Sequence, residues 1–113
     1  MKSVKIKPKG FKGEIELEVP NFLARNKMLL EAKVNLEDIQ GKKMSKISND
    51  NFEFFINMIE LSKKYWKKVN LEKEGVKYSS FDDIMENLDN TSIYAINNEV
   101  LPYIINGVRV GGA

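Results

Sequence analysis

The chain has 113 residues, 42% hydrophobic and 30% charged, with 18 basic against 16 acidic groups and a net charge of +2. This length favours one domain, residues 1–113, able to build a core without covalent staples. There is no cysteine and no histidine, which excludes disulfides, thiolate nucleophiles, zinc sites of the usual ligand types and the side chain best suited to proton transfer at neutral pH. The near balance of charge argues against bulk electrostatic binding of nucleic acid. Only Arg25 and Arg109 are arginines, and lysine lacks the planar fork that reads guanine or clamps phosphate. No apolar run approaches the roughly 20 residues that span a bilayer, and MKSVKIKPKG has no apolar segment of the secretory kind. The expectation is a protein without a membrane segment that stays in the cytoplasm.

Residues 3–19 read as a β-hairpin. Val4 and Ile6 alternate with Lys5 and Lys7; Phe11, Gly13, Ile15, Leu17 and Val19 alternate with Glu14, Glu16 and Glu18. Period two marks a half-buried strand, and Pro8-Lys9-Gly10 supplies the turn. A two-residue loop at Lys9-Gly10 sets Val4 opposite Ile15 and Lys5 opposite Glu14.

Pro20 or Asn21 opens a helix over about 21–33, with Phe22, Leu23, Asn26, Leu29 and Leu30 on one face and Arg25, Lys27 and Glu31 on the other. A further helical turn is expected over Leu36 to Gln40, ended by Gly41, and GKKMSKISND reads as a polar loop. Asp50 or Asn51 then caps a long helix over about 52–68. Phe52, Phe55, Ile59, Ser62, Trp66 and Val69 recur at three and four, widened by Phe54, Met58, Leu61 and Tyr65, so this helix is expected to be central. The stretch 70–80 fits either a small hairpin around Lys73-Glu74-Gly75 or a loop. Ser80 caps a helix over about 81–89 with Phe81, Ile84, Met85 and Leu88 inward. Thr91 is expected to cap a helix over about 92–106, with Ile93, Ile96, Val100, Leu101 and Ile104 as its stripe. Pro102 is expected to kink or interrupt it, Gly107 ends it, and residues 108–113 form a flexible tail. The class is α+β: an N-terminal antiparallel hairpin packed on three to four helices.

LSKKYWKKV brings Lys63, Lys64, Lys67 and Lys68 around Tyr65 and Trp66. On a helix the lysines and the rings point different ways, whereas a nucleic-acid platform needs them together. The cluster therefore reads first as the basic C-terminal end of a helix, favoured by its dipole, and second as a basic binding patch. Asp82, Glu86 and Asp89 share a helical side but lack the convergent loop oxygens of a hard-cation site. Glu14, Glu16 and Glu18 are held apart along a strand, with lysines opposed. The glycines near the C-terminus lack the Lys-Ser/Thr ending of a phosphate loop. No catalytic, cofactor-binding or metal-binding residue is assigned, and the chain is not expected to be an enzyme. What remains is a surplus of aromatic and methionine side chains, which suits an adaptable binding surface as well as a core.

The hairpin KIKPKGFKGEIELEVP, the Arg-containing helix NFLARNKMLL and the run SSFDDIMENLDNTSIYAINNEVLPYIINGVRVGG resemble, in order and pattern, the small tail assembly chaperones of long-tailed phages. The segment from Lys42 to Asp50 has no counterpart. The resemblance implies a non-catalytic role in the host cytoplasm: coating the helical tape-measure protein until the major tail protein assembles around it, with self-association admitted. It also implies a longer form made by frameshifting near the C-terminus. Helix-in-groove recognition then assigns partner contacts to Phe54, Met58, Tyr65 and Trp66. The alternatives are a small nucleic-acid-binding or regulatory protein using Lys63 to Lys68, and a minor structural (connector) protein of the virion.

Overall fold

The computed structural model describes residues 2–40 and 47–107. The fold is α+β, with a four-stranded antiparallel sheet and four helices. In chain order the elements are β1 (Ser3–Ile6), β2 (Lys12–Glu18), α1 (Phe22–Gln40), α2 (Ile47–Ser62), a single 3-10 turn (Lys63–Tyr65), β3 (Trp66–Lys73), β4 (Val76–Tyr78), α3 (Phe81–Asn87) and α4 (Asn90–Asn106). The sheet order is β1-β2-β3-β4, so α1 and α2 are an insertion between two neighbouring strands.

The hairpin forms in a different register from the expected one. Val4 pairs with Leu17, Lys5 with Glu16 and Ile6 with Ile15. Pro8 has no N–H for a ladder, so pairing stops at Ile6 and a wider turn closes through the Phe11 N–H donating to the Pro8 carbonyl at 3.2 Å. The offset is two residues, so the apolar and charged faces keep their sides. Lys5 still meets Glu14, diagonally, at 3.4 Å. The turn docks on α4, where the Lys9 N–H donates to Glu99 Oε2 at 3.0 Å.

β3 is the principal departure. The expected helix over 52–68 ends at Ser62, and Trp66 onward pairs with β2. Glu16 pairs with Lys68 but Leu17 pairs with Trp66, so Lys67 is an extra residue in the ladder. A bulge of this kind shifts the alternation by one position. It lets Trp66, Val69 and Leu71 all serve the core side while Lys67 and Lys68 both remain exposed. β3 and β4 then close tightly around Glu74-Gly75, at φ 53° and 80°, the left-handed pair that a two-residue hairpin of this twist demands. Of the two readings for 70–80, the hairpin is the one found.

Helix ends follow local chemistry. Ser80 Oγ accepts from the Asp83 N–H at 3.0 Å to cap α3. Asp89, rather than Thr91, caps α4, accepting from the Ser92 N–H at 3.1 Å and the Ser92 hydroxyl at 2.8 Å. α4 continues unbroken through Pro102. Both Pro102 and Asn98 are exposed, so the carbonyl that Pro102 leaves unpaired lies on the wet side, where water replaces the lost bond. α1 runs to Gln40, absorbing the separate turn expected over 36–40, and α2 begins at Ile47, so Asp50 and Asn51 lie inside the helix. Gly41 and the tail 108–113 lie outside the described residues.

The core is one cluster between the inner sheet face and the helices. Ile15, Leu17 and Leu71 from the sheet meet Met28 and Ala32 of α1, Met58 of α2, Ile84 of α3 and Ile96, Val100 and Ile104 of α4. At the edge of this layer Lys73 Nζ donates to Ser92 Oγ at 3.0 Å, while that hydroxyl donates to Asp89. The two Ser92 donors hold the Asp89 carboxyl below the usual carboxylate range, and the Lys73 charge acts in the same direction. A carboxyl with a lowered folded-state pKa adds stability above its unfolded pKa and loses it as pH falls through the folded value. Asp89→Asn, which preserves a capping oxygen, is therefore less stable than the parent at neutral pH, and the gap in urea midpoint closes below the ordinary aspartate range. A gap independent of pH contradicts this assignment.

Candidate partner-binding surface

The outer sheet face carries charge in alternating rows. Lys5, Glu16 and Lys68 lie side by side across β1, β2 and β3, and Lys12, Glu72 and Lys77 across β2, β3 and β4. Each row sets one carboxylate between two ammonium groups, and Glu14 and Glu18 supply further negative charge on the same face. Among the described residues the ion pairs that close on this face are Lys5–Glu14 and Lys67–Glu18, at 3.4 and 3.3 Å, and pairs of this kind are worth about 0.2–1 kcal/mol each.

The four clustered lysines do not form a helix terminus. Lys63 and Lys64 sit on the 3-10 turn and Lys67 and Lys68 on β3. Lys63 Nζ pairs with Asp82 Oδ1 at 2.9 Å and Lys67 Nζ with Glu18 Oε1 at 3.3 Å. Lys68 lies opposite Glu16, and Lys64 Nζ stands 5.4 Å from the centre of the Tyr65 ring. A shallow cleft of about 500 Å³ lies among these lysines, but Glu60 shares its wall. Much of the positive charge is thus already engaged by protein groups.

Of the apolar residues assigned to partner contact, Trp66 shows an edge to this cleft and Tyr65 to a neighbouring one, but little of any of them except Phe54 is in water. Met58, Tyr65 and Trp66 are buried in the core, and Phe54 is half-buried against it. Trp66 packs edge-on to Phe81 with centroids 4.9 Å apart, and its Nε1–H donates to Ser62 Oγ at 3.2 Å while Ser62 donates to the Ile59 carbonyl at 2.7 Å. Ser62 is fully buried, so it is the partner that makes an indole N–H tolerable there. Ser62→Ala leaves that donor unpaired and lowers stability by about 1–3 kcal/mol. Adding Trp66→Phe to Ser62→Ala removes the orphaned group, and the second substitution costs less in the Ser62→Ala background than alone, measurable as a double-mutant cycle in urea.

Among the described residues, Val76 on β4 and Tyr103 on α4 are exposed singly, and the other large exposed apolar side chains fall in two places. One strip runs along α1, where Phe22, Leu23 and Leu30 are 69%, 67% and 63% exposed. The face expected to be inward is therefore partly outward, and Met28 and Ala32 are the buried positions. The other is a groove of about 360 Å³ between α2, α3 and α4, lined by Ile56, Ile59, Phe81, Met85, Ile93 and Tyr94 with Glu60 and Asn90. Phe52 and Ile56 on α2 are 53% and 40% exposed. Phe52 meets Tyr94 edge-on at 6.2 Å, and Phe55 supports the same ring at 5.8 Å. Aromatic contacts thus brace Tyr94, in the groove wall, from the α2 side. Of these residues, Phe52, Phe55, Ile59, Phe81, Met85 and Ile93 fall on the stripes expected to face inward; Ile56 and Tyr94 belong to none of the expected faces.

The groove lining is mostly apolar, with Glu60 as its charged side chain. Among the described residues no group of three or more acidic side chains is placed to hold a metal ion, and no helix is long and apolar enough to cross a membrane. Compared with protein families, with curated proteins and with solved structures, the chain matches none.

Proposed function

We propose that the chain is a non-catalytic binding protein that holds a helical segment of a partner in the α2-α3-α4 groove, and that it acts as a tail assembly chaperone of a long-tailed phage. The observation that carries this reading is the groove itself: an apolar cleft with Ile56 left partly exposed on its α2 wall and the exposed Phe52 one turn before it, against Tyr94. Helix-in-groove recognition uses such a lining, filled by residues spaced at i, i+3, i+4 and i+7 on the partner. The α1 strip offers a second contact for a partner longer than the groove. The order of hairpin, helices and closing glycine, which resembles that of the tail chaperones, supplies the identity of the partner: the tape-measure protein, with the major tail protein joining later.

Co-expression tests the reading. The tape-measure protein is recovered in the soluble fraction when this chain is present and aggregates when it is absent. Equal solubility with and without the chain refutes the proposal.

A further inference from the structure

We infer that the groove selects an amphipathic helix whose apolar stripe is flanked by lysine or arginine. This rests on reading the groove as the partner site and adds the chemistry of its occupant. On α2, Glu53 and Glu60 stand three residues before and four after Ile56, on one side of the helix. On α3, Asp82 and Glu86 each follow a groove residue, Phe81 and Met85, by one position. Asp82 is engaged by Lys63 at 2.9 Å. Glu53, Glu60 and Glu86 have no ion-pair partner among the described residues, and no lysine or arginine lines the groove.

The site is therefore apolar at its centre; its border carries the carboxylates of Glu53, Glu60 and Glu86, and one cation, Lys63, which Asp82 neutralises and which stands 5.9 Å from the centre of the Phe81 ring. A partner helix with basic flanks meets opposite charge on the α2 and α3 sides, whereas one with acidic flanks meets like charge; such complementarity decides which partner docks more than how tightly any partner docks. Glu53 and Glu60 are separated by two helical turns, about 10.5 Å at 1.5 Å per residue. That matches basic residues seven apart on a partner helix lying along α2.

The test uses three labelled synthetic peptides with the same leucine stripe and with lysine, glutamine or glutamate flanks, titrated into the full chain by fluorescence anisotropy. The lysine peptide binds about tenfold tighter than the glutamine peptide at low salt, and the gap narrows at high salt. The triple variant Glu53→Lys, Glu60→Lys, Glu86→Lys reverses the order of the lysine and glutamate peptides. Equal binding of all three peptides, each weakened by Ile56→Gln, overturns the charge selection and leaves the groove reading standing. Failure of every peptide to bind overturns both. Concentration-dependent dimerisation abolished by Ile56→Gln assigns the groove to a second copy and overturns the basic-helix occupant.

Discussion

Gly13→Ala lowers the urea midpoint of the chain by the equivalent of about 3–5 kcal/mol, at the upper end of single-substitution effects. Gly13 sits inside β2 at φ 93°, and a Cβ there would lie 1.9 Å from the Asn70 carbonyl oxygen of β3. The obstacle is backbone, so no side-chain rotation relieves it. Two separate penalties coincide: a left-handed conformation that an L-residue resists, and a forced separation of the strands at the Gly13–Leu71 pair. A small domain has about 5–15 kcal/mol of total stability, so a bulkier residue, as in Gly13→Val, is expected to leave little folded protein. Gly10→Ala is the matched control. Gly10 also has positive φ, 87°, but nothing lies within 4 Å of its added Cβ, so only the conformational cost of about 1 kcal/mol remains. Equal losses at the two positions would show that close strand approach is not what Gly13 provides.

The second large effect falls on binding and leaves the fold intact. Phe52→Gln and Ile56→Gln each weaken partner binding by about ten- to a hundredfold, or about 1.5–3 kcal/mol, as expected when a central apolar contact is truncated to a polar one. Both side chains are about half exposed in the free protein, at 53% and 40%, so thermal unfolding shifts less than for a fully buried residue. Met58→Gln behaves oppositely: Met58 is fully buried, and a polar group there destabilises the core before it can alter an interface. Isothermal titration beside thermal melts of the three variants separates these outcomes. Unchanged affinity for the Phe52 and Ile56 variants removes the groove from the binding surface.

The hairpin was legible because strict alternation of Ile15 and Leu17 with glutamates has one interpretation, and its register slip of two came from Pro8, whose effect on the ladder outweighs the preference for a short turn. α3 was legible from Ser80 and the spacing of Phe81, Ile84 and Leu88. β3 was not, for a specific reason. The bulge at Lys67 breaks period two, while Ile59, Ser62, Trp66 and Val69 happen to fit period 3.6, so the strand imitates the continuation of α2. That single misreading placed Lys67 and Lys68 on a helix and counted Trp66 and Val69 in its apolar stripe. α1 carries apolar residues on both sides, Phe22 and Leu30 on one and Met28 and Ala32 on the other, and periodicity alone could not say which side faces the sheet. The groove was hidden for a different reason. It is made by three helices meeting, and which of their partly apolar faces stay uncovered is decided by tertiary packing. The one local signal was Ile56 between Glu53 and Glu60, an apolar residue on an otherwise acidic side of α2.

Methyl NMR of the full chain titrated with a helical segment of the proposed partner, the tape-measure protein, tests most directly whether the groove or the lysine-rich surface receives it. Docking in the groove concentrates the shift changes at Ile56, Ile59, Met85 and Ile93. Changes confined to the lysine-rich edge at Leu61, with those groove methyls unmoved, would contradict docking in the groove.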